Sequence, residues 1–362
     1  MMPQVELRNI TMRFGKVVAV DEVNLTIADG EYVTILGPSG CGKTTIIRII
    51  AGILEPTKGE VYIGGKGMKG VPIEERDIGY VFQNIALFPH FTVQSNVTFG
   101  PMVKDRSREE QQRTAHRYLE LVRLLDKMQM FPSELCGGEQ QKASLARALA
   151  TGARLLLLDE PLSALDARVR VELRYELRRI VKQLGLTTVH VTHDQEEAMS
   201  VSDRIVVMRA GGIVESGTPQ QLYTTPKDIF TSNFVGETNL LEGWVRERHE
   251  GRSLIELRDE STITVEQCDY DEGDAVVVSI RPEFVFPYKD GLLSKIEHLT
   301  YMGTYWRVRA EARSEDRMEF DVPAMEGKLY HPGQEVYLMI NRKAAVVFLR
   351  PREGIAEAVK LE

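Results

Sequence analysis

The run Gly37-Pro38-Ser39-Gly40-Cys41-Gly42-Lys43-Thr44-Thr45 has the residue types and spacing of a loop that wraps a triphosphate. Small residues let successive backbone N–H groups turn inward, and a helix opening at the end of the loop adds its positive dipole end. Lys43 can then reach the β- and γ-phosphates, and the Thr44 hydroxyl can ligate Mg²⁺. The context agrees. An apolar strand-like run, Tyr32-Val33-Thr34-Ile35-Leu36, precedes the loop, and no breaker follows until Gly52.

Further groups along the chain carry compatible chemistry. Asp159-Glu160 closes the apolar run Leu155-Leu156-Leu157-Leu158, placing two carboxylates at the C-terminal edge of a buried parallel strand. One can enter a metal's coordination sphere while the other polarises a water. Gln83 ends the run Ile78-Gly79-Tyr80-Val81-Phe82 and can reach a metal-bound water. His193 ends Val189-His190-Val191-Thr192. Leu135-Cys136-Gly137-Gly138-Glu139-Gln140 opens a helix with two glycines, a second helix N-terminus suited to phosphate. Phe14, before Gly15, is a candidate platform for an adenine ring.

These residues need elements to hold them. Residues 5–36 alternate apolar and polar positions, an antiparallel strand set leading into the loop's own strand. Ile46-Ile47-Arg48-Ile49-Ile50 is β-branched and by propensity a strand, but the phosphate loop requires a helix there, buried in the core. Residues 105–130 and 167–184 have helical period. From 240 onward helical period fades, and alternating strands at Ala275–Ile280, Trp306–Ala310, Val336–Ile340 and Ala345–Leu349 predict a small all-β module, barrel-like in character.

Bulk properties narrow the classes. A chain of 362 residues suits two domains, here 1–238 and 239–362. No apolar run approaches the ~20 residues that span a bilayer, and Met1-Met2-Pro3-Gln4-Val5-Glu6 lacks the pattern of a secretory signal. Cys41, Cys136 and Cys268 are too far apart for a metal site and odd in number, as suits a reducing cytoplasm. A net charge of −8 argues against a general affinity for nucleic acid or anionic lipid. The acidic runs Asp269-Tyr270-Asp271-Glu272 and Glu315-Asp316 read as solvated turns.

Taken together, the ordered motifs resemble those of the ATP-binding-cassette ATPases along the whole chain. Gly37–Thr44 matches Walker A, Leu155–Asp159 with Glu160 matches Walker B and the catalytic glutamate, and Gln83 matches the Q-loop. Leu135–Gln140 matches the signature, Ser163–Asp166 the D-loop and His193 the H-loop. The resemblance implies an α/β P-loop NTPase cassette: a RecA-like core, an antiparallel β subdomain and a helical subdomain, then an OB- or TOBE-like all-β domain. It also implies ATP and Mg²⁺ as cofactors. Lys43 and the surrounding loop would hold the phosphates, and Thr44, Gln83 and Asp159 the metal. Glu160 would polarise water, His193 would contact the γ-phosphate, and Phe14 would stack on adenine. Two copies, or a pair of related ATPases, would meet head to tail. Asp166 and the Leu135-Cys136-Gly137-Gly138-Glu139 segment of each would then complete the other's nucleotide site.

Arg281-Pro282-Glu283 resembles the TOBE-type tail of importer ATPases serving maltose, polyamine and iron(III) systems, and Phe234–Leu240 resembles the polyamine and iron subgroup more than the sugar one. Such a subunit would sit peripherally on the cytoplasmic face of the inner membrane. Its closure on ATP and opening after hydrolysis would drive integral membrane permease subunits, with an extracytoplasmic solute-binding protein as an indirect partner. The competing reading is a soluble ABC ATPase acting on nucleic acid or ribosomes. Residues 240–362 hold 24 Asp and Glu against 17 Lys and Arg, without the basic footprint that reading needs. Two departures stand out. Cys136 replaces the usual signature serine, and a thiol is a weaker donor. Glu139 replaces the usual glutamine and adds negative charge near the phosphates.

Overall fold

The computed structural model describes residues 5–249, 251–266, 268–314 and 316–361. Met1–Gln4 of the N-terminal stretch and Glu315 of the second acidic run lie outside the described residues. The chain forms two compact units, one ending at Pro219 and one spanning Gln220–Lys360.

The first unit runs β1 (Val5–Phe14), β2 (Val17–Ile27), β3 (Tyr32–Leu36), α1 (Lys43–Ala51), β4 (Lys58–Ile63), β5 (Lys66–Gly67), β6 (Ile78–Val81), α2 (Val93–Val103) and α3 (Arg108–Leu121). It continues with α4 (Gly137–Ala150), β7 (Leu155–Asp159), α5 (Ala167–Leu184), β8 (Thr187–Thr192), α6 (Gln195–Val201), β9 (Arg204–Arg209) and β10 (Gly212–Gly217). Strands β2-β1-β4-β5 make an antiparallel sheet. The larger sheet has the order β10-β9-β3-β8-β7-β6, parallel except for β10. Its parallel strands present their C-terminal ends on one edge, where α/β sheets bind ligands.

Both faces of that sheet are covered. Leu155 and Leu157 join the core containing the isoleucines of α1, while Leu156 and Leu158 join the core containing α3, α4 and α5. Ile46, Ile47, Ile49 and Ile50 are all buried. Burying each gains on the order of 1.5–3 kcal/mol, well above the roughly 0.5 kcal/mol by which a β-branched residue disfavours helix. Packing therefore decides this segment. Gly52 ends the helix in the left-handed conformation at φ 85°.

The second unit begins within the short helix α7 (Pro219–Thr224), and a second short helix, α8 (Ile229–Phe234), follows. Ten strands follow: β11 (Asn239–His249), β12 (Arg252–Leu257), β13 (Thr262–Glu266), β14 (Ala275–Ile280), β15 (Val285–Tyr288), β16 (Leu292–Tyr301), β17 (Tyr305–Ala312), β18 (Arg317–Pro323), β19 (Glu335–Ile340) and β20 (Val346–Leu349). They pair as two five-stranded sheets, β13-β12-β11-β14-β20 and β15-β19-β16-β17-β18, around one shared core. The strand-rich module expected from the sequence is therefore two sheets rather than a single closed ring. Arg281 is buried and donates to the carbonyls of Ser232, Gly236 and Glu237, tying β14's end to α8 and the chain that follows it. Asp271 and Glu272 are exposed, but Asp316 is half-buried rather than solvated, and burial pushes its carboxyl up.

Candidate active site

The loop after β3 and the first turn of α1 form the phosphate cradle. Gly42 sits at φ 102°, and a Cβ there would meet the Ala19 carbonyl oxygen at 2.3 Å. A Cβ on Gly37 would come within 2.5 Å of the Met208 carbonyl oxygen. Only glycine fits either place. The Lys43 ammonium, buried with its stem, donates to the carbonyls of Gly37 (2.8 Å) and Pro38 (2.7 Å), arching back over the loop. Cys41 is buried, and burial pushes its thiol up, so it is inert filler rather than a redox centre. Ser39, Gly40 and Thr45 lie on the same loop and helix turn.

The sheet order brings the other groups to this edge. Thr44 Oγ1 donates to Asp159 Oδ1 over 3.4 Å, and the Tyr80 hydroxyl donates to Asp159 Oδ2 over 3.0 Å. Asp159 is buried, which raises its carboxyl above the ordinary value despite the Tyr80 bond. The Thr44 hydroxyl beside the Asp159 carboxylate is an all-oxygen donor pair, which fits a hard cation such as Mg²⁺. Gln83 Nε2 donates to Glu160 Oε2 over 3.0 Å, and His193 Nδ1 lies 3.4 Å from the same oxygen. Glu160 is held at φ 44°, with its N–H on the Val191 carbonyl (2.9 Å) and its carbonyl accepting from the Ser163 hydroxyl (2.9 Å). Phe14 ends β1 with its side chain 48% exposed, and Asp166 caps α5 by accepting from the Val169 N–H over 3.0 Å.

The Leu135–Glu139 segment stands apart from the cradle in its bonding. Leu135 is buried and Cys136 is exposed as the N-cap of α4. Glu139 accepts from the Cys136 N–H over 3.0 Å and pairs with Lys127. Those two donors, Lys127 first, hold its carboxyl below the usual range. The charge expected from the sequence to weigh on phosphate is thus already compensated. Gly137 and Gly138 open α4, and Gly138 has a second role: a Cβ there would meet Val169 Cγ1 of α5 at 2.7 Å.

Reading the sequence misses Tyr80 and Lys127. Tyr80 stands on β6 three residues before Gln83, which follows the strand's end, a detectable signal. Lys127 lies in a short turn, Leu125–Lys127, with no local pattern to mark it.

A glycine cradle with an inward lysine, a threonine–aspartate pair and a glutamate flanked by glutamine and histidine define a P-loop ATPase site. Comparison with known proteins places it more narrowly. The ABC transporter family model matches residues 20–163 and the TOBE domain model residues 278–348. The chain is 38% identical over 349 residues to the Fe(3+) ions import ATP-binding protein FbpC of Fusobacterium nucleatum subsp. nucleatum, covering 95% of this chain and 93% of that one. It is 43% identical over 282 residues to the spermidine/putrescine import ATP-binding protein PotA of Haemophilus ducreyi, covering 77% of this chain and 76% of that one. A solved dimeric ATP-binding cassette in a post-hydrolysis state, bound to ADP and Pi, matches with TM-score 0.54 and 33% identity over 59% of this chain and 98% of that one. The chain belongs to the ABC transporter family, to the import ATP-binding proteins that carry a TOBE domain, and it is an ATPase. Among the described residues no helix is long and apolar enough to cross a membrane.

Proposed function

We propose that this chain energises an importer for a polyamine or for iron(III), with sugar the less favoured solute, by closing two ATPase copies on ATP and opening them after hydrolysis. The relatives named for Fe(3+) and for spermidine/putrescine support the solute class. The observation that carries the mechanism is the meeting of Lys43, Thr44, Asp159, Glu160, Gln83 and His193 at one sheet edge.

Thr44, Gln83 and Asp159 would hold Mg²⁺, directly or through water, and the bound ion would supply charge that neutralises the developing phosphate charge. Lys43 would leave the Gly37 and Pro38 carbonyls for the β- and γ-phosphates. Glu160 would orient and polarise the attacking water, and His193 would contact the γ-phosphate. Phe14 would stack on the adenine. Leu135–Glu139 and Asp166 find their bonds outside the cradle of their own chain, which supports their acting on a second copy's nucleotide. The segment after Gln83 would dock on membrane permease subunits at the cytoplasmic face of the inner membrane. Residues 239–362 would regulate and steady the dimer, and a solute-binding protein would act through the permease.

The test is MgATP hydrolysis by the full chain and by Glu160→Gln, with oligomeric state followed in both. Turnover by the parent, its loss by about 10²-fold or more in the variant, and an ATP-dependent dimer of the variant are expected. Equal turnover in the two, or no ATP-dependent dimer, refutes the reading. Uptake of labelled putrescine, spermidine and iron(III) by cells with and without the chain then selects the solute.

A further inference from the structure

Beneath the His193 loop lies a line of polar groups that the mechanism above does not use. Tyr32, at the start of β3, and His190, in the middle of β8, are 0% exposed, and Glu197 of α6 is 2% exposed. The Tyr32 hydroxyl is 3.0 Å from His190 Nδ1. His190 Nε2 is 3.3 Å from Glu197 Oε1, a charge contact rather than an aligned hydrogen bond, and neither atom has a hydrogen-bond partner among the described residues. The other carboxylate oxygen of Glu197 accepts from the Thr192 hydroxyl over 2.6 Å. Thr192 Oγ1 in turn accepts from the Asp194 N–H over 3.0 Å.

The direction of these bonds can be assigned from chemistry. The Glu197 carboxylate facing Nε2 can only accept, which favours the hydrogen on Nε2; in that neutral tautomer Nδ1 is the acceptor and the Tyr32 hydroxyl donates. Burial pushes Glu197 up, but His190 and the Thr192 hydroxyl outweigh it and hold the carboxyl low. An interior carboxylate costs several kcal/mol unless it is well paired, and an apolar residue would fill the space without that cost. Among the described residues the Glu197 side chain accepts from the Thr192 hydroxyl and from no backbone group. What the carboxylate does is lock the Thr192 hydroxyl, which receives Asp194.

The consequence falls on the residue between them. His193 is flanked by Thr192, tied to Glu197, and by Asp194. Asp194 caps Glu197 through its N–H (2.9 Å) and takes Arg170 (3.3 Å) and Arg174 (3.7 Å) of α5 on its other oxygen. We propose that Glu197 is a positioning residue for His193, acting through Thr192 and Asp194, with His190 and Tyr32 fixing its carboxylate in the core. This rests on the reading of His193 as a γ-phosphate contact.

The test uses the full chain and measures kcat and KM for MgATP together with the thermal midpoint. Glu197→Gln and Thr192→Val are each made in the parent and in His193→Ala. In the parent, each variant is expected to lower kcat by about tenfold with KM changed by no more than about twofold. In His193→Ala, neither is expected to lower kcat further. Thr192→Val, which removes one hydroxyl from a strand position that suits valine, carries the test if Glu197→Gln does not fold. The same fractional loss in both backgrounds, or an unchanged kcat in folded variants, overturns the assignment alone. A parent without MgATP hydrolysis overturns the site reading and this assignment with it.

Discussion

The amide of Gln83 donates to the carboxylate of Glu160 over 3.0 Å, joining the segment just after β6 to the residue just after β7. Glu160 meets it from a left-handed backbone at φ 44°, a conformation that costs a non-glycine residue on the order of 1–3 kcal/mol. Bonds to Val191 and Ser163 hold the backbone there. The strain aims the carboxylate away from its strand toward Gln83 and His193. The functional geometry is thus paid for by the sheet that surrounds it.

Asp159→Asn should separate stability from activity. Burial raises the Asp159 carboxyl, with Glu160's charge adding to the rise, so the folded chain binds this proton more tightly than the unfolded chain. That contribution to stability is full below the unfolded value and lost as pH rises through the folded one. At about pH 8 the variant is expected to melt no lower than the parent, with the advantage shrinking as pH falls into the carboxylate range. MgATP hydrolysis should drop about 10²-fold or more. A clearly lower melting temperature at neutral pH would refute the sign.

Cys136→Ser is expected to strengthen ATP-driven dimerisation of the Glu160→Gln chain. A hydroxyl donates where a thiol barely does, and a hydrogen bond to a charged group is worth roughly 1.5–3 kcal/mol, or about 10- to 100-fold in affinity. Serine is also the better helix cap, which thermal melting would show separately. Unchanged dimerisation and turnover would mean that this position contributes no hydrogen bond to phosphate.

Lys127→Met should weaken the same dimer by about two- to fivefold at low salt, because it leaves Glu139 uncompensated. Adding Glu139→Gln should restore it, and the effect should fade as ionic strength rises. Sedimentation at two salt concentrations would measure this. A double variant as weak as the single one would show that Lys127 acts otherwise.

Gly138→Ala tests helix packing. Alanine in a helix is favoured over glycine by up to about 1 kcal/mol, but its Cβ would press on the stiff Val169 side chain at 2.7 Å. Overpacking of this kind costs typically about 1–3 kcal/mol. Net destabilisation of about 1–2 kcal/mol in denaturant titration is expected, and a stabilised variant would contradict the close approach of α4 to α5.

The sequence by itself determined the phosphate loop, because its glycines, lysine and threonine act through local backbone geometry over a few residues. It marked Gln83, Asp159, Glu160 and His193 as strand-end groups, since apolar runs followed by a polar residue are legible without knowing their neighbours. It also showed the change from helical to strand period near residue 240. Only the tertiary structure decided that Gln83, Glu160 and His193 share one carboxylate oxygen, because that follows from the order β3-β8-β7-β6, a choice among long-range pairings that no local pattern encodes. The compensation of Glu139 by Lys127, the close approach of Gly138 to Val169 and the buried line from Tyr32 to Glu197 have the same origin. Each depends on which side chain packing brings within a few ångströms, and a charge or a glycine has no fixed meaning until that neighbour is present.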